Sequence, residues 1–184
     1  ALDTETGRRI GFDDESRFAM ASTFKLMLAA AVLAEVERAR LDLEQTVAIA
    51  QADMLPNAPV TSMYVGRGSI TIRELCAAVV EVSDNPAANL LLSLIGGPPG
   101  FTEFMRSLDD GVTRLDRTEL ELNTNVPGDV RDTTTPRAMV DSMERVLVGR
   151  RLGESSRTLL IDWLVAARTG LQRIRGGLPG DWRA

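Results

Sequence analysis

The 184-residue chain contains no histidine. That absence removes Ser-His-Asp and Cys-His catalysis and every histidine-ligated metal site. A single cysteine, Cys76, permits no disulfide within the chain, and its place in the apolar stretch Leu75 to Val80 suits a buried, inert thiol. Aromatic residues make up only 4% of the chain, so a core must be built from Leu, Val, Ala, Ile and Met. No apolar run approaches the roughly 20 residues needed to cross a bilayer. The longest, Leu26 to Ala34, gives way to Glu35 and Arg38. There is no basic run, no interleaved aromatic stripe and no CxxC pattern, so neither nucleic-acid binding nor structural zinc has support. The net charge of −5 is an ordinary solubility solution.

Lysine is almost missing too. Of 21 cationic side chains, Lys25 is the one lysine and the rest are arginine. Arginine cannot serve as a base, because its pKa lies above about 12, whereas a desolvated lysine amine loses its proton near neutrality. Taken alone, one surviving lysine is also what biased composition would leave. Its neighbours decide the matter.

With 44% hydrophobic residues, the chain suffices for one sizeable core. The opening 1–10 reads as two short strands around Thr6-Gly7, a hairpin that needs a larger sheet. Helical patterning then dominates. A long amphipathic helix is expected over 22–40, started by Ser22-Thr23. Others follow over 72–82, from Asn85-Pro86 to the Gly96-Gly97 stop, from Pro98-Pro99 toward Leu108, over 136–147 and 154–167, with a short one near 171–174. The polar, non-periodic stretch 116–135 reads as one long ordered loop, and such loops inside compact domains are usually functional.

Ser22-Thr23-Phe24-Lys25 places a hydroxyl and an amine three residues apart at a helix start, on one face. A serine hydroxyl is a weak nucleophile until a neighbouring base takes its proton, and a desolvated lysine can do so. The helix N-terminus adds a positive field suited to an oxyanion. A capping serine with a chance lysine is nevertheless the commoner meaning of this spacing. Ser83-Asp84-Asn85, in the turn between two helices, offers a second hydroxyl for proton relay and a carboxamide for an amide carbonyl, although capping alone also explains it. The long loop carries Glu119-Leu120-Glu121-Leu122-Asn123, in which a carboxylate could hold and deprotonate a water. Arg117 and Asp132 stand at the loop's two ends, charged in the sense needed to close it with a bidentate pair.

Ser22-x-x-Lys25, Ser83-Asp84-Asn85 and Glu119-x-x-Leu122-Asn123, in this order and spacing, resemble class A serine β-lactamases. So do Pro59-Val60-Thr61, Arg73-Glu74-Leu75-Cys76, Ala87 to Leu92, Ile95-Gly96-Gly97, Thr113 to Arg117 and Arg131 to Thr134, so that the likeness runs along essentially the whole chain. It implies an α/β (α+β) fold of the serine β-lactamase and penicillin-binding type, seen here mainly as its all-helical lobe plus an N-terminal hairpin. Residues 1–20 would belong to the sheet lobe and 21–184 to the helical lobe with its loop 116–135, in a single catalytic domain. The implied function is hydrolysis of the β-lactam ring of penicillins and cephalosporins through an acyl-enzyme on Ser22, conferring antibiotic resistance. Lys25, or Glu119 through a water, would take the serine proton. Ser83 would relay a proton to the leaving nitrogen, Asn85 would hold the substrate amide, and Glu119 with Asn123 would deacylate. Asn89 would support Glu119, with Arg117 and Asp132 as further structural support. No metal or organic cofactor is implied. The partner would be a small β-lactam, the state a monomer, and the location periplasmic or secreted.

The same resemblance implies a piece of a longer protein. The family carries a Lys-Thr-Gly or Lys-Ser-Gly strand a few residues beyond the tryptophan that Trp182 resembles, so a further lysine is expected just past Ala184 and the 184 residues alone are expected to be inactive. Leu120 stands where many relatives have proline, which favours a trans bond after Glu119. Asn57 stands where many have an aromatic residue bordering the site. Ala29 occupies the position of a cysteine that some relatives pair with the one matched by Cys76. The competing expectation is a penicillin-binding or sensor domain that acylates without turnover. Glu119 and Asn123 argue against it, because acylation needs no dedicated deacylating water. A non-catalytic helical interaction module is the third reading.

Overall fold

A computed structural model describes residues 1–173 and 175–179. The elements along the chain are β1 (Phe18–Ala19), α1 (Phe24–Glu37), β2 (Thr46–Ala48), β3 (Ser69–Thr71), α2 (Ile72–Glu81), α3 (Asn85–Leu94), α4 (Gly97–Ser107), β4 (Thr133–Thr134), α5 (Pro136–Leu147) and α6 (Glu154–Val165). Helices carry most of the structure, joined by two small antiparallel ribbons, β1 with β4 and β2 with β3. This is the mixed helix-and-sheet class expected from the sequence.

α1 is the axis of the fold. It was expected to be amphipathic, but Phe24, Lys25 and every residue from Met27 to Ala34 are buried. The reason is that α2, α3, α4 and α6 all pack against it. A helix enclosed on all sides needs no polar face until its end, where Arg38 and Arg40 meet Glu35. Phe24 meets Phe101 of α4 edge to face, with ring centroids 5.9 Å apart. Truncating Phe24 to alanine in this enclosed position would cost about 3–5 kcal/mol.

The helix also starts later than expected. Ala21–Thr23 form a 3-10 turn, and Thr23 Oγ1 donates to Met20 O at 2.7 Å instead of capping α1. Elsewhere the predicted starts hold, because their caps are local. Thr71 and Glu74 form a reciprocal capping box on α2, Asp84 accepts from Ala87 N on α3, and Thr135 accepts from Ala138 N on α5.

The N-terminal hairpin reduces to one isolated bridge, Leu2 with Arg9, closed by the turn in which Gly7 sits at φ 73. No third strand lies beside it among the described residues, so two-strand pairing does not propagate. The short helix expected near 171–174 is a turn followed by a 3-10 segment at Arg175–Gly177. Trp182 lies outside the described residues. Cys76 is buried with its thiol free, and burial pushes that thiol's pKa up.

Candidate active site

Three connections between helices converge on one end of α1. The 3-10 turn before α1 presents Ser22 to solvent, and the first turn of α1 buries Lys25 directly beneath it. The turn between α2 and α3 brings Ser83 and Asn85. The long loop brings Glu119 and Asn123. Ser22, Lys25 and Ser83 line one cleft of about 650 Å³, with Met139 and Met143 of α5 and with Arg173 on its far wall. A larger open hollow of about 870 Å³ between α1 and α6, lined by Leu33, Arg73, Glu154 and Asp162, holds none of the predicted site residues.

Lys25 is the hub. Its Nζ donates to Ser83 O at 2.9 Å, to Ser83 Oγ at 3.1 Å and to Asn85 Oδ1 at 2.5 Å. Three acceptors match the three hydrogens of an ammonium. Glu119 Oε1 lies 3.1 Å from the same nitrogen, with both side chains almost wholly enclosed (2% and 1% exposed). Among the described residues that oxygen meets no donor other than the Lys25 ammonium. Desolvation lowers the Lys25 pKa from its usual value, while the carboxylates of Glu119 and, farther off, Asp84 pull the other way. The i,i+3 spacing pointed to Ser22 as the partner of Lys25, yet no hydrogen bond joins them. The acceptors supplied by the turn and the loop occupy the ammonium instead.

Glu119 is held from both sides. Asn89 Oδ1 accepts from its backbone N at 2.9 Å, and Asn89 Nδ2 donates to its carbonyl at 2.9 Å. Asn123 Nδ2 donates to Glu119 Oε2 at 2.7 Å. One carboxylate oxygen is therefore fixed by Asn123 and the other faces Lys25. The Glu119–Leu120 peptide bond is cis, against the trans expectation. The double grip of Asn89 fixes the backbone of Glu119 whatever residue follows it.

The loop neck closes on Asp132, though not as a bidentate pair. Arg117 Nε meets Asp132 Oδ2 at 2.5 Å, while Asp132 Oδ1 accepts the backbone N–H groups of Asp116 and Arg117 at 2.7 and 2.9 Å. The guanidinium's other arm reaches Thr124 O at 2.9 Å, tying the neck to the loop's tip. A carboxylate already accepting two backbone donors has no second oxygen to offer the arginine.

Asp84 does more than cap α3. Its Oδ2 accepts from Val60 N and Thr61 N, both at 3.0 Å, and its Oδ1 from Thr61 Oγ1 at 2.8 Å, so it anchors the segment 56–61 against the turn that carries Ser83. Sequence reasoning saw the local cap but not this anchor, because nothing in the spacing joins residue 61 to residue 84. Asn85 Nδ2 donates to Pro56 O at 2.8 Å, which engages both ends of the carboxamide expected to meet substrate.

The arrangement supplies an exposed hydroxyl, a buried amine of lowered pKa, a second hydroxyl bonded to that amine, and a carboxylate paired with the amine. Together these fit acyl transfer by way of a serine ester and its hydrolysis.

Comparisons with known proteins identify the family. A family model described as Beta-lactamase2, beta-lactamase enzyme family, matches residues 1–184. Beta-lactamase L2 of Stenotrophomonas maltophilia is 49% identical over 182 residues, covering 99% of this chain and 60% of its own length. Beta-lactamase AST-1 of Nocardia asteroides is 47% identical over 182 residues, with 99% and 58% covered. The chain thus spans about 60% of the length of these curated relatives. Among solved structures, an ancestral (GNCA) class A beta-lactamase superposes with a TM-score of 0.97 at 52% identity, covering 99% of this chain and 70% of that one. A beta-lactamase from Xanthomonas campestris gives a TM-score of 0.97 at 49% identity, with 99% and 68% covered.

Proposed function

This chain belongs to the class A β-lactamase family, and from that premise we propose that the protein carrying it opens the ring of penicillins and cephalosporins through an ester on Ser22 and hydrolyses that ester. The observation that carries the reading is the Lys25–Glu119 pair. An ammonium and a carboxylate 3.1 Å apart, enclosed together, hold one proton between them and accept a second as a unit.

In this reading the Ser22 hydroxyl attacks the lactam carbonyl as its proton passes to the pair. Ser83 then delivers its own proton to the lactam nitrogen as the carbon–nitrogen bond breaks. The Lys25 ammonium, 3.1 Å from Ser83 Oγ, replaces that proton. For deacylation, the Glu119 carboxylate, oriented by Asn123, takes a proton from water as the resulting hydroxide attacks the ester. Ser22 leaves with the proton, and the starting state returns. Two positioned proton carriers of this kind account for about 10²–10⁴ in rate each.

The reading also takes the substrate to be a small β-lactam, the protein to be a monomer, and its location to be the periplasm or the medium of a bacterium. No helix among the described residues is long and apolar enough to cross a membrane. We further propose that the 184 residues alone are inactive, since the curated relatives are longer. The test is hydrolysis of a chromogenic cephalosporin by the complete gene product. Turnover that disappears in Ser22→Ala supports the reading, and turnover that survives Ser22→Ala removes it. Hydrolysis by the purified 184-residue chain would overturn the expected inactivity of that chain.

A further inference from the structure

The segment Pro56–Asn57 lies across the Ser83–Asn85 turn and meets it at three points. Asn85 N donates to Asn57 O at 2.9 Å, and Asn85 Nδ2 donates to Pro56 O at 2.8 Å. Asn57 Nδ2 donates to Ser83 O at 2.7 Å. The first two contacts use main-chain carbonyls that any residue supplies. The third needs the side-chain amide. Asn57 also sits at φ 60, in the left-handed region where asparagine is one of the few residues other than glycine at ease. Backbone and side chain therefore both select asparagine here.

The carbonyl that Asn57 binds is the one that accepts Lys25 Nζ at 2.9 Å. Ser83 O thus carries a neutral amide from the exposed side and an ammonium from the buried side, filling both lone pairs. Ser83 is itself held at φ 59, a conformation its residue type does not favour, so something outside it must keep it there.

Building on Ser83 as the proton relay, we propose that Asn57 is a positioning residue of this site: its carboxamide pins the Ser83 carbonyl from outside, and thereby sets the place of the Ser83 hydroxyl and the strength with which Ser83 O holds the Lys25 ammonium. A donor on one lone pair draws electron density from the carbonyl and weakens it as an acceptor for the other donor. Removing the amide therefore strengthens the grip on the ammonium and keeps Lys25 charged to higher pH. The charged groups facing Lys25 are Glu119 from the loop and Asp84 at the start of α3, with Arg173 on the far wall of the cleft. None of the three is hydrogen-bonded to Asn57, so substitution there leaves them in place.

Lys25 is the one lysine of these 184 residues, and its own variant assigns its signal. In the complete gene product labelled with ¹³C-lysine, the Lys25 signal is identified as the one missing from Lys25→Arg, and its titration is followed by NMR in the parent, in Asn57→Gly and in Asn57→Asp. Glycine keeps the left-handed backbone without the amide. Aspartate keeps the shape but replaces the donor by a negative charge. The expected result is a rise of the Lys25 midpoint by roughly half a pH unit in Asn57→Gly and by more in Asn57→Asp, with the alkaline limb of kcat/KM moving up by the same amount. Midpoints that coincide with the parent's in both folded variants overturn the proposal. The titration needs no turnover, so a parent that hydrolyses no β-lactam removes the functional reading while the role of Asn57 is still decided.

Discussion

Lys25 Nζ and Glu119 Oε1 lie 3.1 Å apart in an enclosed ion pair, and the same nitrogen donates to Ser83 O, Ser83 Oγ and Asn85 Oδ1. The carboxylate sits against the amine through Oε1 and is held through Oε2 by Asn123 Nδ2.

Lys25→Arg tests the lysine's part. A guanidinium keeps a positive charge beside Glu119 yet cannot shed a proton to Ser83. The expected outcome is a fall of about 10²–10⁴ in acylation rate, read by stopped-flow hydrolysis of a chromogenic cephalosporin. Acylation at the parent's rate would remove the amine from the proton path.

Asn123→Ala removes the donor that fixes Glu119 Oε2 at 2.7 Å. The carboxylate stays beside Lys25 but loses its fixed orientation, so deacylation should slow by about 10-fold or more while acylation changes less, as expected when a positioned base is loosened. Burst kinetics with a good substrate read the two steps separately. Equal slowing of both would assign Asn123 to general stability.

The local parts of this site were legible in the sequence, and its cross-connections were not. Helix starts at Thr71, Asp84 and Thr135 came through because each cap lies within three residues of the backbone N–H that donates to it. The motifs Ser22-x-x-Lys25, Ser83-Asp84-Asn85 and Glu119-x-x-Leu122-Asn123 did converge around one end of α1. The spacing failed for the partner of Lys25, since the acceptors that hold it come from a turn some 60 residues on. It failed again for α1, whose apolar run allowed either a surface helix or an enclosed one until four neighbours were seen around it. The Asn57 amide and the Thr61 anchor on Asp84 join segments that share no pattern at all.

Asp132→Ala should open the loop neck. This carboxylate is fully buried and accepts the Arg117 guanidinium together with two backbone N–H groups. Removing one partner of a buried pair leaves the other uncompensated, at a cost of about 3–5 kcal/mol. Urea unfolding of the complete gene product reads that loss, with a drop in activity at temperatures where the protein is still folded. A midpoint unchanged from the parent's would contradict the closing role of this aspartate.

Asp110 gives a pH signature away from the chemistry. Burial pushes its pKa up, but hydrogen bonds from Thr113 Oγ1 and N, Val112 N and Ser142 Oγ outweigh it and hold the carboxyl below its usual value of 3.8. A group depressed in the folded state adds stability that is present above its unfolded pKa and is lost as pH falls through the folded one. Asp110→Asn should therefore cost about 1–3 kcal/mol near neutrality, with the gap to the parent narrowing in acid. Unfolding midpoints across the acid range check this, and a gap that stays constant would contradict it.

The most direct measurement is time-resolved intact-mass spectrometry of the complete gene product and of its Glu119→Gln variant after mixing with benzylpenicillin. The glutamine keeps the size of Glu119 but cannot take a proton from water. The expected result is an acyl adduct on Ser22 that turns over in the parent and persists in the variant. An adduct equally long-lived in the parent, or none in either protein, would contradict hydrolysis by way of Ser22 and Glu119.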